Sequence, residues 1–140
     1  GLGQGPGRED YRMSDAIEAW HHYMNSRDHG ALEALIHEDC VFTSPVVHTP
    51  QVGKAVTLKY LKAAAQVLGN ESFRYVGEWR APHSGSLEFT CELDGIAING
   101  IDMIAWNEAG QITSFKVMVR PLKAINMLHA MMGAQLMAAS

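Results

Sequence analysis

Positive charge is scarce in this chain: 11 Lys and Arg stand against 15 Asp and Glu in 140 residues, a net charge of −4 with histidines neutral. A protein that wraps nucleic acid or adsorbs to anionic lipid needs a clustered basic surface, so both classes are excluded. Long apolar runs are missing too. No stretch approaches the ~18 residues of a membrane span, and the N-terminus lacks the charged-then-apolar secretory pattern, so a soluble cytoplasmic protein is expected. Cysteine is nearly absent: the two present, Cys40 and Cys91, fit no zinc or redox spacing and read as reduced, structural residues. Of the seven histidines, no pair has His-x-x-x-His spacing beside a carboxylate. The run His37-Glu38-Asp39-Cys40 offers ligand types, but consecutive residues point in different directions on any regular backbone. The expectation is neither metal nor cofactor. What is plentiful is apolar: 47% hydrophobic against 19% charged residues. Such a chain builds one core, hiding roughly two-thirds of its unfolded surface.

Residues 1–13 carry four glycines in the first seven positions and read as a flexible leader or appended segment, with Met13 available as a natural start. Residues 14–140 are expected to form a single domain. Ser14 reads as the cap of a first helix with Asp15 and Glu18 in its first turn, an apolar stripe of Ile17, Trp20 and Met24, and an end near Arg27. A short second helix turns Leu32, Leu35 and Ile36 inward. Cys40 to Thr43 reads as a brief strand closed by Ser44-Pro45, since proline cannot donate to a ladder. Residues 46–53, with Pro50 and Gly53, read as a loop. Val56, Tyr60, Leu61, Ala64, Val67 and Leu68 then give a helical period as far as Gly69-Asn70.

From there the period changes to two. Phe73, Tyr75, Gly77 and Trp79 share one alternation and Leu87, Phe89, Cys91 and Leu93 the next, with Asp94-Gly95 as a hairpin turn. A third strand is expected from Ala97 to Trp106, and a fourth from Gln111 to Val119 after the turn Asn107-Glu108-Ala109-Gly110. Arg120-Pro121 ends the sheet. The tail, Leu122 to Ala139, is helical in period, with Leu122, Ile125, Leu128, Met132 and Leu136 on one side. It holds four of the eight methionines, Met127, Met131, Met132 and Met137. It reads as a helix laid over the sheet, with a lid or subunit contact as the alternative. Helices followed by an antiparallel meander define an α+β domain, in which the sheet must curve around something.

A curved sheet with helices on its concave face leaves a conical cavity suited to one apolar ligand. The polar residue that stands out is Asp102, in Gly100-Ile101-Asp102-Met103-Ile104-Ala105-Trp106, because a carboxylate inside an apolar strand is costly unless partnered or protonated. Either it shares an inward face with Gly100, Ile104 and Trp106, or that whole face looks outward.

The order of these elements, with Tyr23-Met24-Asn25-Ser26-Arg27-Asp28-His29-Gly30, then Phe42-Thr43-Ser44-Pro45-Val46 and Pro50-Gln51-Val52-Gly53, resembles the nuclear-transport-factor-2-like superfamily. That superfamily includes SnoaL-type polyketide cyclases and ketosteroid isomerases. Gly100-Ile101-Asp102 and the turn Asn107 to Ile112 extend the resemblance over residues 14–125. It implies a cone-shaped domain: N-terminal helices on a curved, mostly antiparallel sheet enclosing an apolar pocket, plus a C-terminal helix. It also implies a homodimer.

In ketosteroid isomerases a tyrosine late in the first helix and a neutral aspartic acid on the third long strand form an oxyanion hole, and Tyr23 and Asp102 stand at the matching positions. The resemblance thus makes Asp102 the acid/base and Tyr23 the donor. The family's general base is an aspartate before the proline that ends the first strand; here that position is Ser44, a poor base without a partner. His48, four residues further on, is a candidate base or an exposed loop histidine. A supporting tyrosine of the long helix is replaced by Leu61, with Tyr60 adjacent. Gly100 stands where limonene-epoxide hydrolases carry a clamping arginine, which removes that mechanism.

Trp20, Phe42, Phe89, Trp106 and Met118 are expected to line the pocket, with Ser44 and Tyr60 beside the ligand. The expected function is isomerase or cyclase chemistry on an enolisable apolar or aromatic ketone. The alternatives are a non-catalytic apolar-ligand-binding or dimerisation domain of the same fold, or a protein-partner module.

Overall fold

A computed structural model describes residues 15–138, so the leader expected over 1–13 and the expected Ser14 cap lie outside the described residues. The first described helix, α1 (Ala16–Ser26), is capped by Asp15, whose Oδ1 accepts the Ile17 N–H at 2.9 Å. It ends on Arg27 in the left-handed conformation, φ 58°, with the Arg27 N–H returned to the Tyr23 carbonyl. Arg27 then donates from its guanidinium to the carbonyls of Met24, Ala65 and Gly69 at 2.8 to 3.2 Å. Ala65 belongs to the long helix α3 (Lys54–Leu68) and Gly69 follows it, so these bonds fasten the C-terminal ends of the two helices together.

The short helix α2 (His29–Leu35) stops one residue before its apolar spacing predicts: Ile36 is extended, with ψ 125°, and opens strand β1 (Ile36–Thr43). A β-branched residue suits that role, and Ile36 pairs with Ile112 across the sheet. Within the expected 46–53 loop lies a two-residue strand, β2 (Gln51–Val52), paired with Val41 and Phe42. A strand that short carries no periodic signal. The meander follows as β3 (Arg74–Ala81), β4 (Ser84–Leu93), β5 (Ile96–Trp106) and β6 (Ile112–Arg120), and helix α4 (Leu122–Ala138) closes the described chain. Asp94 and Gly95 both have positive φ, as the tight turn between β4 and β5 requires.

The six strands form one sheet in the order β2-β1-β6-β5-β4-β3, antiparallel throughout except for the parallel β1–β6 pair. Its inner face carries Leu87, Phe89, Ile98, Ile104 and Phe115, all buried against Ile17, Trp20, Leu32 and Leu61 of the helices. This is the expected α+β cone. Register bends it at three places, one of which corrects the sequence reading. A bulge between Tyr75 and Gly77 shifts β3 by one residue, so Phe73 and Tyr75 turn inward while Trp79 turns out, 57% exposed. Glu78 and Arg80 consequently face α1. Arg80 reaches Asp15, Glu18 at 3.2 Å and Glu78 at 2.5 Å, and Glu78 meets His21 at 2.9 Å. This clamp holds α1 across β3 and sets Trp20 over Tyr75. Among the described residues no helix is long and apolar enough to cross a membrane.

Candidate active site in the cone

Alternation along β5 resolves the choice left open by the sequence. Ile98, Gly100, Asp102, Ile104 and Trp106 are buried, and Met103 is exposed, so Asp102 points into the cone. Its strand neighbours are Leu87 of β4 and Val117 of β6, both apolar. The carboxyl has one protein partner among the described residues: Tyr75 donates its hydroxyl hydrogen to Oδ2 at 2.8 Å. Trp20 in turn donates from Nε1 to the Tyr75 oxygen at 2.7 Å. The three side chains come from α1, β3 and β5 and form one hydrogen-bonded chain, indole to phenol to carboxyl.

Burial pushes the Asp102 pKa from 3.8 up to about 7, against the opposing pull of the Tyr75 hydrogen bond. Burial also drives Tyr75 well above its ordinary value, helped by the neighbouring Asp102 charge, so its hydroxyl stays a donor. The second carboxyl oxygen, Oδ1, takes no protein hydrogen bond among the described residues. The group can thus sit as a neutral acid with one edge held by Tyr75 and the other left for a ligand.

Two spaces meet at this point. A small inner chamber of about 40 Å³ is walled by Asp102, Tyr75, Trp20, Phe73, Phe89 and Phe115. That is room for one or two waters or for the carbonyl end of a ligand. A larger cavity of about 200 Å³ lies toward the mouth, between the end of β1, α3 and α4, lined by Phe42, Ser44, Tyr60, Leu128, His129 and Met132 among others. The larger cavity does not touch Asp102. The two share Ala64, Leu68 and Val117 in their linings, so the inner chamber and the outer cavity adjoin there.

The expected site residues divide accordingly. Trp20, Phe89 and Asp102 line the inner chamber. Phe42, Ser44 and Tyr60 line the outer cavity, with the Phe42 and Tyr60 rings stacked at 5.2 Å. Three residues are placed elsewhere. Tyr23 is fully buried, its ring against Trp20 and His29, and its hydroxyl has no partner among the described residues, so it takes no part in the chain at Asp102. On a helix a three-residue step rotates the side chain by about 60°, and it is Trp20 that faces Tyr75. Trp106 is a core residue outside both linings, its Nε1 without a partner among the described residues. Met118 is 51% exposed on the outer sheet face, opposite Ile101, because β6 alternates Phe115 and Val117 inward.

Ser44 does not replace the missing base. Its Oγ accepts the N–H groups of Val46 at 2.9 Å and Val47 at 3.3 Å, a serine turn that spends both lone pairs. His48 is exposed and outside the cavity lining. Gly100 has a packing reason: a Cβ there would lie 2.3 Å from the Phe89 ring, which fills the space above it. Among the described residues no three His, Cys, Asp or Glu side chains gather as a metal site; in the run considered above, the His37 Nδ1 accepts the Asp39 N–H.

Sequence reasoning missed Tyr75 and His129. Tyr75 was visible only as one member of a strand alternation, and its meeting with Asp102 depends on β3, β4 and β5 lying side by side. His129 carried a usable signal, since it repeats with Met132, Gly133 and Leu136 at helical spacing.

A steroid delta-isomerase from Pseudomonas aeruginosa shares this architecture with a TM-score of 0.82 and 33% identity, over 89% of this chain and 90% of that one. The chain belongs to the nuclear-transport-factor-2-like superfamily. A second member of comparable similarity is an uncharacterised bacterial protein with a cystatin-like fold from Silicibacter pomeroyi, at TM-score 0.80 and 30% identity over 89% and 87% of the two chains. A nuclear-transport-factor-2-like protein of unknown function from Cytophaga hutchinsonii matches in fold alone, at TM-score 0.58 and 17% identity over 78% and 90%. No family profile and no curated protein matches the sequence. What the superfamily members have in common is the cone, and the polar groups inside it decide what each can do.

Proposed function

We propose that this protein is an isomerase- or cyclase-type enzyme acting on a small enolisable ketone. The observation that carries the reading is the buried Asp102 carboxyl, held by Tyr75 and through it Trp20, in a chamber that adjoins an apolar cavity. A ketone entering through the mouth would rest its rings on Phe42 and Tyr60 and present its oxygen to Oδ1 of Asp102. As a proton leaves the α-carbon, negative charge grows on that oxygen. A preorganised donor in a water-poor chamber stabilises that charge far more than solvent would. The similarity to a steroid delta-isomerase supports the same class of reaction. The outer cavity, about 200 Å³, lies below the ~300–1,000 Å³ of sites that take drug-sized ligands, which favours a one- or two-ring ketone over a four-ring one.

The test is exchange of the α-hydrogens of 2-tetralone in deuterium oxide, with wild type and Asp102→Asn. Faster exchange with the wild type and a loss of about 100-fold or more in the variant are expected. Equal rates would end the enzyme reading. A second reading, a non-catalytic apolar-ligand domain, draws on the Ser44 hydroxyl already committed to its turn. Tight binding of 2-tetralone without exchange would select it.

A further inference from the structure

Proton abstraction from carbon needs an acceptor, and the inner chamber holds no side chain for it besides Asp102 itself, whose role is to hold the oxygen. Ser44 is closed off by its turn. Among the described residues lining the outer cavity only two carry titratable groups, Tyr60 of α3 and His129 of α4. A phenol presents a hydrogen to donate, whereas a neutral imidazole carries one ring nitrogen with a free lone pair that can accept a proton. The segment after β1 contributes Ser44, Pro45, Val46 and Val47 to the lining, with no charge.

The helix presenting His129 is built for access. His129, Met132, Gly133 and Leu136 follow the i, i+3, i+4, i+7 spacing of a single helical face, and all four line the cavity. A side chain at 133 would lean back over the turn that carries His129, because helical side chains point toward the N-terminus. Glycine is there instead, and a Cβ at that position would meet nothing within 4 Å. His129 is exposed and stands at the rim of the cavity, with open space beside its imidazole.

We infer that His129 is the proton acceptor and donor of this site, acting from the outer cavity on a ketone whose oxygen reaches past Ala64, Leu68 and Val117 to Asp102. This rests on the isomerase reading above. An unprotonated imidazole nitrogen takes the α-hydrogen as a proton. The C–H electron pair becomes the new C=C bond, and the carbonyl π pair moves onto the oxygen hydrogen-bonded by Asp102. The imidazolium then returns its proton to carbon, at the same atom in exchange or at a conjugated one in isomerisation, and the electron movement reverses. Nothing is oxidised or reduced, and no co-reactant is needed.

The experiment follows 2-tetralone exchange by proton NMR with wild type, Asp102→Asn, His129→Ala, His129→Asn and, as a control outside the cavity, His48→Ala. His129→Ala and His129→Asn are each expected to lose about 100-fold or more, and His48→Ala to match wild type. Added imidazole is expected to restore part of the loss in His129→Ala and none in Asp102→Asn. Wild-type rates in both His129 variants, with Asp102→Asn inactive, would overturn the assignment and leave the isomerase reading intact. Loss in His129→Ala without imidazole rescue would reduce His129 to a structural role and overturn it as well. Absence of exchange by the wild type would remove the isomerase reading and this assignment with it.

Discussion

Replacing Asp102 with asparagine should make the protein more stable, by an amount that grows with pH. The carboxyl is buried among apolar strand neighbours with one hydrogen-bond donor, and its pKa rises from 3.8 to about 7 on folding. Below the unfolded value the group is neutral in both states and costs nothing. Between the two values the unfolded chain has released its proton while the folded protein still holds it. The folded state then binds more protons, so stability falls as pH rises. The fall ends once pH exceeds the folded value. At about 1.4 kcal/mol per pH unit, the interval from 3.8 to about 7 amounts to about 4 kcal/mol. Asparagine keeps the shape and an acceptor for Tyr75 but has no proton to lose. Urea denaturation of both proteins at pH 4, 5.5, 7 and 8 should give nearly equal midpoints at the acid end. The variant's advantage should widen through pH 7 and level off beyond it. A difference that is constant with pH, or that shrinks as pH rises, would refute the buried neutral acid and with it the donor role assigned to Asp102.

Tyr75→Phe removes the hydrogen bond that opposes burial, so the Asp102 pKa should move above about 7, and exchange that depends on the protonated acid should persist to higher pH. The same variant leaves the Trp20 Nε1 without its acceptor and should lose about 1–3 kcal/mol in denaturation. Gly133→Phe would project a ring into the outer cavity; binding of 2-tetralone, read by calorimetry, should be lost while the melting temperature holds. Gly100→Ala forces Phe89 from its place over the strand and should cost about 1–3 kcal/mol, seen as a lower melting temperature.

Most of the architecture was legible because each element carries its own period. Ile17, Trp20 and Met24 mark a helix whichever partner it finds, and Leu87-Phe89-Cys91-Leu93 marks a strand with a buried side. The errors came where the period is interrupted or too short to register. Ile36 satisfies a helical spacing and a strand pairing equally well, and only the pairing with Ile112 decides between them. The bulge after Tyr75 moves Trp79 from the inner face to the outer one, a one-residue slip that alternation cannot foresee.

The same division holds for the site. The sequence by itself determined that one acid would lie inside an apolar strand, since Asp102 is flanked at every second position by Gly100, Ile104 and Trp106. It also determined that the residue before Pro45 is not a carboxylate. Tertiary structure decided which phenol meets that acid, because Tyr75 reaches Asp102 through the order β3-β4-β5, while Tyr23 sits one helical step around from Trp20 and has no partner among the described residues. It also decided that His129, 27 positions beyond Asp102 in the chain, lines the outer cavity that adjoins the chamber of Asp102. Local periods depend on neighbours a few residues apart and are written in the chain; the carboxyl's partners arrive from strands and helices far away in sequence, and only the packing of the sheet against α1, α3 and α4 brings them together.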